Sequence, residues 1–226
     1  MEDLKFIGIG GAYAPDLGGN CAYIKDDKTL LLIDCCESAT EKLKNRNLFD
    51  GVDNIVVAIT HTHADHVAGL GNLIWYCYFI LNIKTKIVSN SATFESHTRG
   101  LLKSLGVEDR FFDFVDPSCV VVGGCKIEML PTIHTPILEC FGIMFTDSIG
   151  KYYYTGDTKD FDNIKRLVCD DRVKRVYTET NWQSYNTHIE YAQLKKIKCD
   201  KLVLMHFEDV ELYNLAISDG FNVAKL

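Results

Sequence analysis

The chain has 226 residues, 47% of them hydrophobic and 24% charged, with a formal net charge of −7. That length can bury a sizeable core, and the composition is that of a soluble globular protein rather than a disordered or fibrous one. An acidic balance argues against a protein that grips long RNA or DNA through a basic footprint, and leans towards a small substrate.

Met1-Glu2-Asp3 is acidic and runs straight into residues 4–9, which read as a first strand, so no export signal is expected. The nine cysteines then read as reduced thiols in a cytosol, most of them small core residues. Cys35 and Cys36 are adjacent and no Cys-x-x-Cys exists, so a structural zinc finger is not expected. Gly8, Gly10 and Gly11 mark a turn but no dinucleotide fingerprint, because Ala12-Tyr13-Ala14-Pro15 does not open a helix. Residues 21–25 and 29–33 read as strands joined by Asp26-Asp27-Lys28, the second ending at Asp34. Asp34 has two readings: orienting a metal-binding histidine from behind, or capping a helix over 38–47.

Residues 54–60 form an apolar, β-branched run of the length of a buried strand. It leads into Thr60-His61-Thr62-His63-Ala64-Asp65-His66, which sets three histidines and a carboxylate at a strand-to-helix turn. Imidazole and carboxylate together suit zinc, manganese or iron. His61 and His63 alternate as on extended backbone, so both rings can face one way. Asp65 and His66, beyond the turn, can face a second point. One turn thus offers ligands to two neighbouring metal ions, an arrangement used to hydrolyse esters and phosphodiesters. With 7 histidines in 226 residues, this register is not that of a chance surface loop.

Residues 71–81 read as a mostly buried helix; the apolar run over 70–81 is too short to span a bilayer and carries Asn72. A short strand over 86–89 precedes a helix over 91–105, with capping-box character at Ser91 and a stop at Gly106; His97 within it reads as a surface residue. Lys84, Lys86, Arg99, Lys103 and Arg110 make this region locally basic and read as a solvated face. Strands are expected over 111–115, over 120–130 with a break at Gly123-Gly124, and over 140–146 and 151–155. His134 follows the second of these and Gly156-Asp157-Thr158 the last. Then come a helix over 162–169, a strand over 175–178 leading to Glu179, a helix over 189–196 entered through His188, and a strand over 201–205 stopping at His206. No repeat, low-complexity tract or linker appears, so residues 1–226 read as one domain. Strand-rich beginnings followed by alternating helices and strands, twice over, predict two mixed sheets with helices outside, a four-layer αββα sandwich of the α+β class.

The His-x-His-x-Asp-His run at 61–66 resembles the signature of the metallo-β-lactamase fold superfamily, which has that same architecture. The resemblance implies two divalent metal ions, zinc or else manganese. It assigns His61, His63 and His134 to one ion, Asp65, His66 and His206 to the other, and Asp157 as the bridge. Zinc lowers the pKa of bound water to about 7, so no serine or cysteine nucleophile is required. Asp65 counts with the catalytic residues. Glu179 followed by His188 resembles the tRNase Z-like branch, in which the glutamate holds the histidine and the histidine protonates the leaving oxygen of a phosphodiester. No long Gly/Pro-rich arm is present, and the compact acidic chain more closely resembles the anti-Pycsar family, which hydrolyses cyclic nucleotides such as cyclic CMP and cyclic UMP. That likeness includes Leu101-Leu102-Lys103-Ser104-Leu105 before Phe111-Phe112-Asp113-Phe114-Val115, Thr132-Ile133-His134, the Gly156-Asp157-Thr158 turn and the strand ending at His206. It implies a 3′,5′-cyclic nucleotide phosphodiesterase that counters antiviral signalling. It also implies a homodimer in the cytoplasm, the host's if the chain is virus-encoded, with no membrane or long nucleic acid partner. The rival readings are a tRNA 3′-processing endonuclease, a non-catalytic binder that sequesters a nucleotide, and a hydrolase of another ester or lactone. Tyr13, Trp182 and Tyr185 are the aromatic candidates for stacking on a base.

Overall fold

The computed structural model describes residues 3–226; Met1 and Glu2, part of the acidic start noted above, lie outside the described residues. The first sheet runs in the order β1 (Lys5–Gly8), β2 (Cys21–Lys25), β3 (Thr29–Ile33), β4 (Asn54–Ala58), β5 (Thr85–Val88) and β6 (Phe112–Val115). The second contains β7 (Val121–Val122), β8 (Cys125–Pro131), β9 (Phe141–Thr146), β10 (Lys151–Tyr154), β11 (Val173–Thr180), β12 (Leu202–Phe207) and β13 (Asn222–Val223), again side by side in chain order. Helices α1 (Ala39–Asn45), α2 (Ala64–Val67), α3 (Leu70–Phe79) and α4 (Ala92–Ser104) belong to the first half, and α5 (Phe161–Val168), α6 (Tyr191–Leu194) and α7 (Val210–Ser218) to the second. α1 and α3 pack on the first sheet, α5 and α7 on the second, giving the expected αββα layering.

Strand direction positions the site. Each sheet begins with antiparallel pairs and continues with parallel ones, β3 to β6 in the first and β10 to β13 in the second. β8 runs parallel to β10 because two antiparallel pairings separate them. The carboxyl ends of β3, β4, β8, β10, β11 and β12 therefore reach one edge of the sandwich, where the loops of parallel sheets build sites. β3 and β4 are apolar after their first residues, Thr29 and Asn54, because both faces are covered, and Leu30, Leu31, Leu32 and Ile33 have no exposed surface. Each such side chain contributes about 1.5–3 kcal/mol by burial. The two sheets are stitched at the site edge, where Gly11 N–H donates to Phe207 O at 2.8 Å, Phe207 N–H to Ile9 O at 3.0 Å and Phe141 N–H to Thr60 O at 2.8 Å.

Several elements differ from expectation. The helix expected over 71–81 is not mostly buried: Leu73, Ile74 and Cys77 face inward while Trp75, Phe79 and Ile80 are exposed, the one-sided pattern of a surface helix. Ser91 caps α4 through Phe94 N–H at 3.3 Å without a reciprocal box, since Glu95 falls one position too late. The helix expected over 189–196 begins only after Glu190, which forms a capping box with Gln193, and shrinks to α6 and a 3-10 turn. His188 consequently lies on the loop before the helix and not within it. α7 and β13 were not anticipated; Asp209 caps α7 through Leu212 N–H at 2.7 Å, and Leu212 and Ala216 bury its inner face.

Candidate metal centre

The turn after β4 delivers His61 and His63, and α2 carries Asp65 and His66 on the next bend. His134 arrives from the loop after β8, Asp157 from the turn after β10, and His206 from the penultimate residue of β12. The structure gathers all seven into two adjoining groups. His61, His63, His134 and Asp157 form one, and Asp65, His66 and His206 the other, with their donor atoms within 4.8 Å of one another in each group. Asp157 faces both. Its Oδ2 is 3.9 Å from His61 Nε2 and 3.8 Å from His134 Nε2, while its Oδ1 is 3.3 Å from His66 Nε2 and 3.4 Å from His206 Nε2.

These residues fit divalent metals. His61 Nε2 lies 2.9 Å from His63 Nδ1, which lies 3.3 Å from His134 Nε2. Nitrogens about 2.0–2.1 Å from one tetrahedral ion sit about 3.3 Å apart, whereas facing lone pairs repel unless a cation lies between them. His66 Nε2 and Asp157 Oδ1 are buried with no hydrogen-bond partner, a state that costs about 1–3 kcal/mol per group. Burial, reinforced by the neighbouring His66, pushes the His61 pKa well below its ordinary value, so the ring keeps a lone pair to give. Burial also disfavours the charged forms of Asp65 and Asp157. For Asp65 the hydrogen bond from His206 and the charge of the adjacent His66 outweigh it, and for Asp157 the charges of His206 and His66 do, so both carboxyls stay below the usual range.

A second set of groups orients these donors. Asp34, at φ +62° beyond β3, accepts from His66 Nδ1 at 2.9 Å and from Thr60 N–H at 2.8 Å. Ser38 occupies the N-cap position of α1, so Asp34 takes the orienting role of its two readings. Thr60 Oγ1 donates to Asp34 and lies 3.1 Å from His61 Nδ1, and Tyr154 O–H reaches Asp34 Oδ2 at 3.3 Å. Asn20 Nδ2 donates to the same tyrosine oxygen at 2.5 Å. The carbonyl of Thr187 holds His134 Nδ1 at 2.8 Å. His206 sits at φ +48°, a left-handed position of the kind found at functional sites. Gly156 is required for Asp157: its φ is +59°, and a Cβ there would lie 2.8 Å from Phe141 O and 2.9 Å from Thr60 Cβ.

Glu179, at the end of β11, is wholly buried and receives three donors: Thr158 N–H at 2.6 Å, Asn181 Nδ2 at 2.6 Å and His188 Nδ1 at 2.7 Å. Burial and the charge of Asp157 push its carboxyl up from the ordinary value. With Nδ1 engaged, His188 has Nε2 free, and the residue lines a 360 Å³ cavity with His63, Asp65, Asp157 and His206. Among the described residues no lysine or arginine lines that cavity. Tyr13 does line it and is 88% exposed. Trp182 and Tyr185 are instead tied down, Trp182 Nε1 to Asp209 Oδ2 at 2.8 Å and Tyr185 O–H to Glu208 Oε1 at 3.3 Å. Asn181 and Glu208 also line the cavity and escaped the sequence reading, although each lies two residues beyond an expected residue. His97 is exposed on α4. The locally basic stretch is largely partnered: Lys84 with Asp113, Arg99 with Asp109, Arg110 with Glu108 and Lys86 with Asn54. All nine cysteines are free, and six are buried. Among the described residues no helix is long and apolar enough to cross a membrane.

Comparison with known proteins points the same way. The family model described as anti-Pycsar protein Apyc1 matches residues 2–223. An anti-Pycsar protein Apyc1 of Paenibacillus harenae is 26% identical over 223 residues, covering 91% of this chain and 90% of that protein. Two solved structures share the fold. The metallo-β-lactamase fold protein YhfI of Bacillus subtilis superposes with a TM-score of 0.73 at 19% identity, covering 98% of this chain and 95% of that one. The short form of human tRNase Z gives 0.68 at 16% identity, covering 99% and 95%.

Proposed function

This chain belongs to the anti-Pycsar protein Apyc1 family, with the metallo-β-lactamase fold and the donor set of a metal-dependent hydrolase, and we propose that it opens 3′,5′-cyclic nucleotides to linear ones. The observation that carries the reading is the pairing of His188 with buried Glu179 at 2.7 Å beside two metal-type groups joined by Asp157. His61, His63, His134 and Asp157 would hold one divalent ion, and Asp65, His66, His206 and Asp157 the other. When bound, such ions activate water and neutralise charge on phosphate. The protein's own contribution lies around that centre. Asp34, Thr60 and the Thr187 carbonyl fix the ligand rings. Glu179 accepts the Nδ1 hydrogen of His188 and so turns its Nε2 towards the cavity. The free Nε2 then delivers a proton to the departing ribose oxygen, a task worth about 10²–10⁴ in rate.

A cavity of 360 Å³ is at the small-molecule end of ligand sites, and its lack of basic side chains suits a singly charged cyclic phosphodiester better than a tRNA backbone. Zinc is the metal favoured by the histidine-rich donors. The family's homodimer is supported by the exposed Trp75, Phe79 and Ile80, which line a 610 Å³ groove between α1 and α3. The chain acts as one domain, and the setting is a cytoplasm, the host's if it is virus-encoded.

The test is turnover by the metal-loaded protein of cyclic CMP, UMP, AMP and GMP, bis(p-nitrophenyl) phosphate and a precursor tRNA, with and without chelator. Chelator-sensitive conversion of cyclic mononucleotides with tRNA untouched is expected. Cleavage of tRNA alone overturns the proposal in favour of the processing nuclease, and stoichiometric nucleotide capture without product overturns it in favour of a binder.

A further inference from the structure

The cavity wall is chemically lopsided. His63, Asp65, Asp157 and His206 account for the metal-type groups and His188 for the proton donor, which leaves Asn181 and Glu208 as polar residues without a task. Asn181 Nδ2 is spent on Glu179, so its free polar atom is the acceptor Oδ1. Glu208 is an acceptor too. Its Oε2 takes Trp182 N–H at 2.8 Å and its Oε1 takes Tyr185 O–H at 3.3 Å, and neither donor is a cation. A carboxylate offers about four lone-pair positions, so acceptor capacity is left over. The carboxylate is also held in place. Phe207, next to it, is clamped by Ile9 O and Gly11 N–H, and the Tyr185 that contacts it stands at φ +47°.

The phosphate is drawn to the metal-type groups, and Glu208, an anion with no lysine or arginine beside it among the described residues of the cavity wall, repels it. The counterpart of Glu208 is a hydrogen-bond donor on the uncharged part of the substrate. In a 3′,5′-cyclic nucleotide the sugar has one donor, the 2′-hydroxyl, on the carbon beside the 3′ oxygen. Base N–H groups lie farther from the phosphate and differ from base to base. We infer that Glu208 accepts a hydrogen bond from the substrate's 2′-hydroxyl and so selects ribo- over 2′-deoxyribonucleotides. The inference rests on the cyclic-nucleotide reading above. It makes Glu208 a specificity residue that every base shares, which permits broad base tolerance with strict sugar choice.

The experiment compares a cyclic ribonucleotide with its 2′-deoxy counterpart in wild type and Glu208→Gln, both metal-loaded and both checked for folding by thermal melting. kcat and KM are read on the cyclic phosphodiesters, and Kd on the matching hydrolysis-resistant cyclic phosphorothioates. Wild type should prefer the ribonucleotide on the order of ten- to a hundredfold, mostly through KM and Kd, the range for a hydrogen bond to a charged acceptor. E208Q, which exchanges a charged acceptor for a neutral one, should shrink that ratio several-fold. A wild type indifferent to the 2′-hydroxyl overturns the inference. So does an E208Q protein that loses activity on both sugars in parallel with the ratio preserved, since Glu208 would then only be holding Trp182 and Tyr185. If neither nucleotide binds nor reacts while bis(p-nitrophenyl) phosphate is cleaved, the cyclic-nucleotide reading has failed and the inference falls with it. If both bind equally, only the inference falls.

Discussion

Replacing His188 by alanine separates acid catalysis from metal binding. Its side chain is 21% exposed, and its Nδ1 is 3.9 Å from Asp157 Oδ2 and 2.7 Å from Glu179 Oε2. Without the ring, buried Glu179 keeps the N–H of Thr158 and Nδ2 of Asn181, so one of three hydrogen bonds is lost. Stability should fall by only about 1–2 kcal/mol, a few degrees in Tm for a chain of this size. Neither metal-type group around the two points of Asp157 needs His188, so metal content should hold. The rate is another matter. A ribose alkoxide leaves badly without a proton, and loss of a general acid slows such a step by about 10²–10⁴, or roughly 2.7–5.4 kcal/mol of barrier. p-Nitrophenolate leaves well unaided, so the same variant should lose far less on bis(p-nitrophenyl) phosphate. The assay is kcat on both substrates alongside metal analysis of the purified variant. Equal losses on the two substrates, or a protein that has shed its metal, would refute the acid role.

Asp34→Asn keeps size and tolerates φ +62°, but it can turn an N–H₂ towards His66 Nδ1 and force the tautomer whose Nε2 is protonated; metal affinity measured by chelator competition should drop about 10- to 100-fold, and unchanged affinity counts against the orienting role. Tyr13→Ala removes the aromatic that lines the cavity and should raise KM for cyclic nucleotides, since a base–aromatic stack contributes about 1–3 kcal/mol; a KM that stays put means the base rests elsewhere. Gly156→Ala drives a Cβ against Phe141 O at a positive φ, so Tm should fall by several degrees at about 2–4 °C per kcal/mol and activity with it; a wild-type melting curve would show that the turn yields freely. Stripping metal with a chelator should lower Tm and adding zinc back should restore it, by about 2.7 kcal/mol at a hundredfold excess over Kd; no change on chelation would mean the two groups bind no stabilising ion.

The amino-acid sequence alone determined the centre of this protein. The run at 61–66 declares its chemistry because spacing on an extended strand and the turn after it is a local property, and the apolar runs of β3 and β4 identify buried strands for the same reason. His134, Asp157 and His206 were legible as residues at strand ends, and the likeness to the metallo-β-lactamase superfamily gave them an order. Only the tertiary structure decided how Asp157 turns one oxygen to each group, or that Asp34 reaches His66 across 32 positions of chain, because strand direction and sheet pairing are set by contacts distant in sequence. The exposure of Trp75, Phe79 and Ile80 was likewise hidden, since hydrophobicity does not say which face of a helix the core can reach. Glu208 is the sharpest case. In the sequence it is one acid among 31, and it acquires a meaning only when the turn at His206 brings it to a cavity where, among the described residues, no lysine or arginine pairs it.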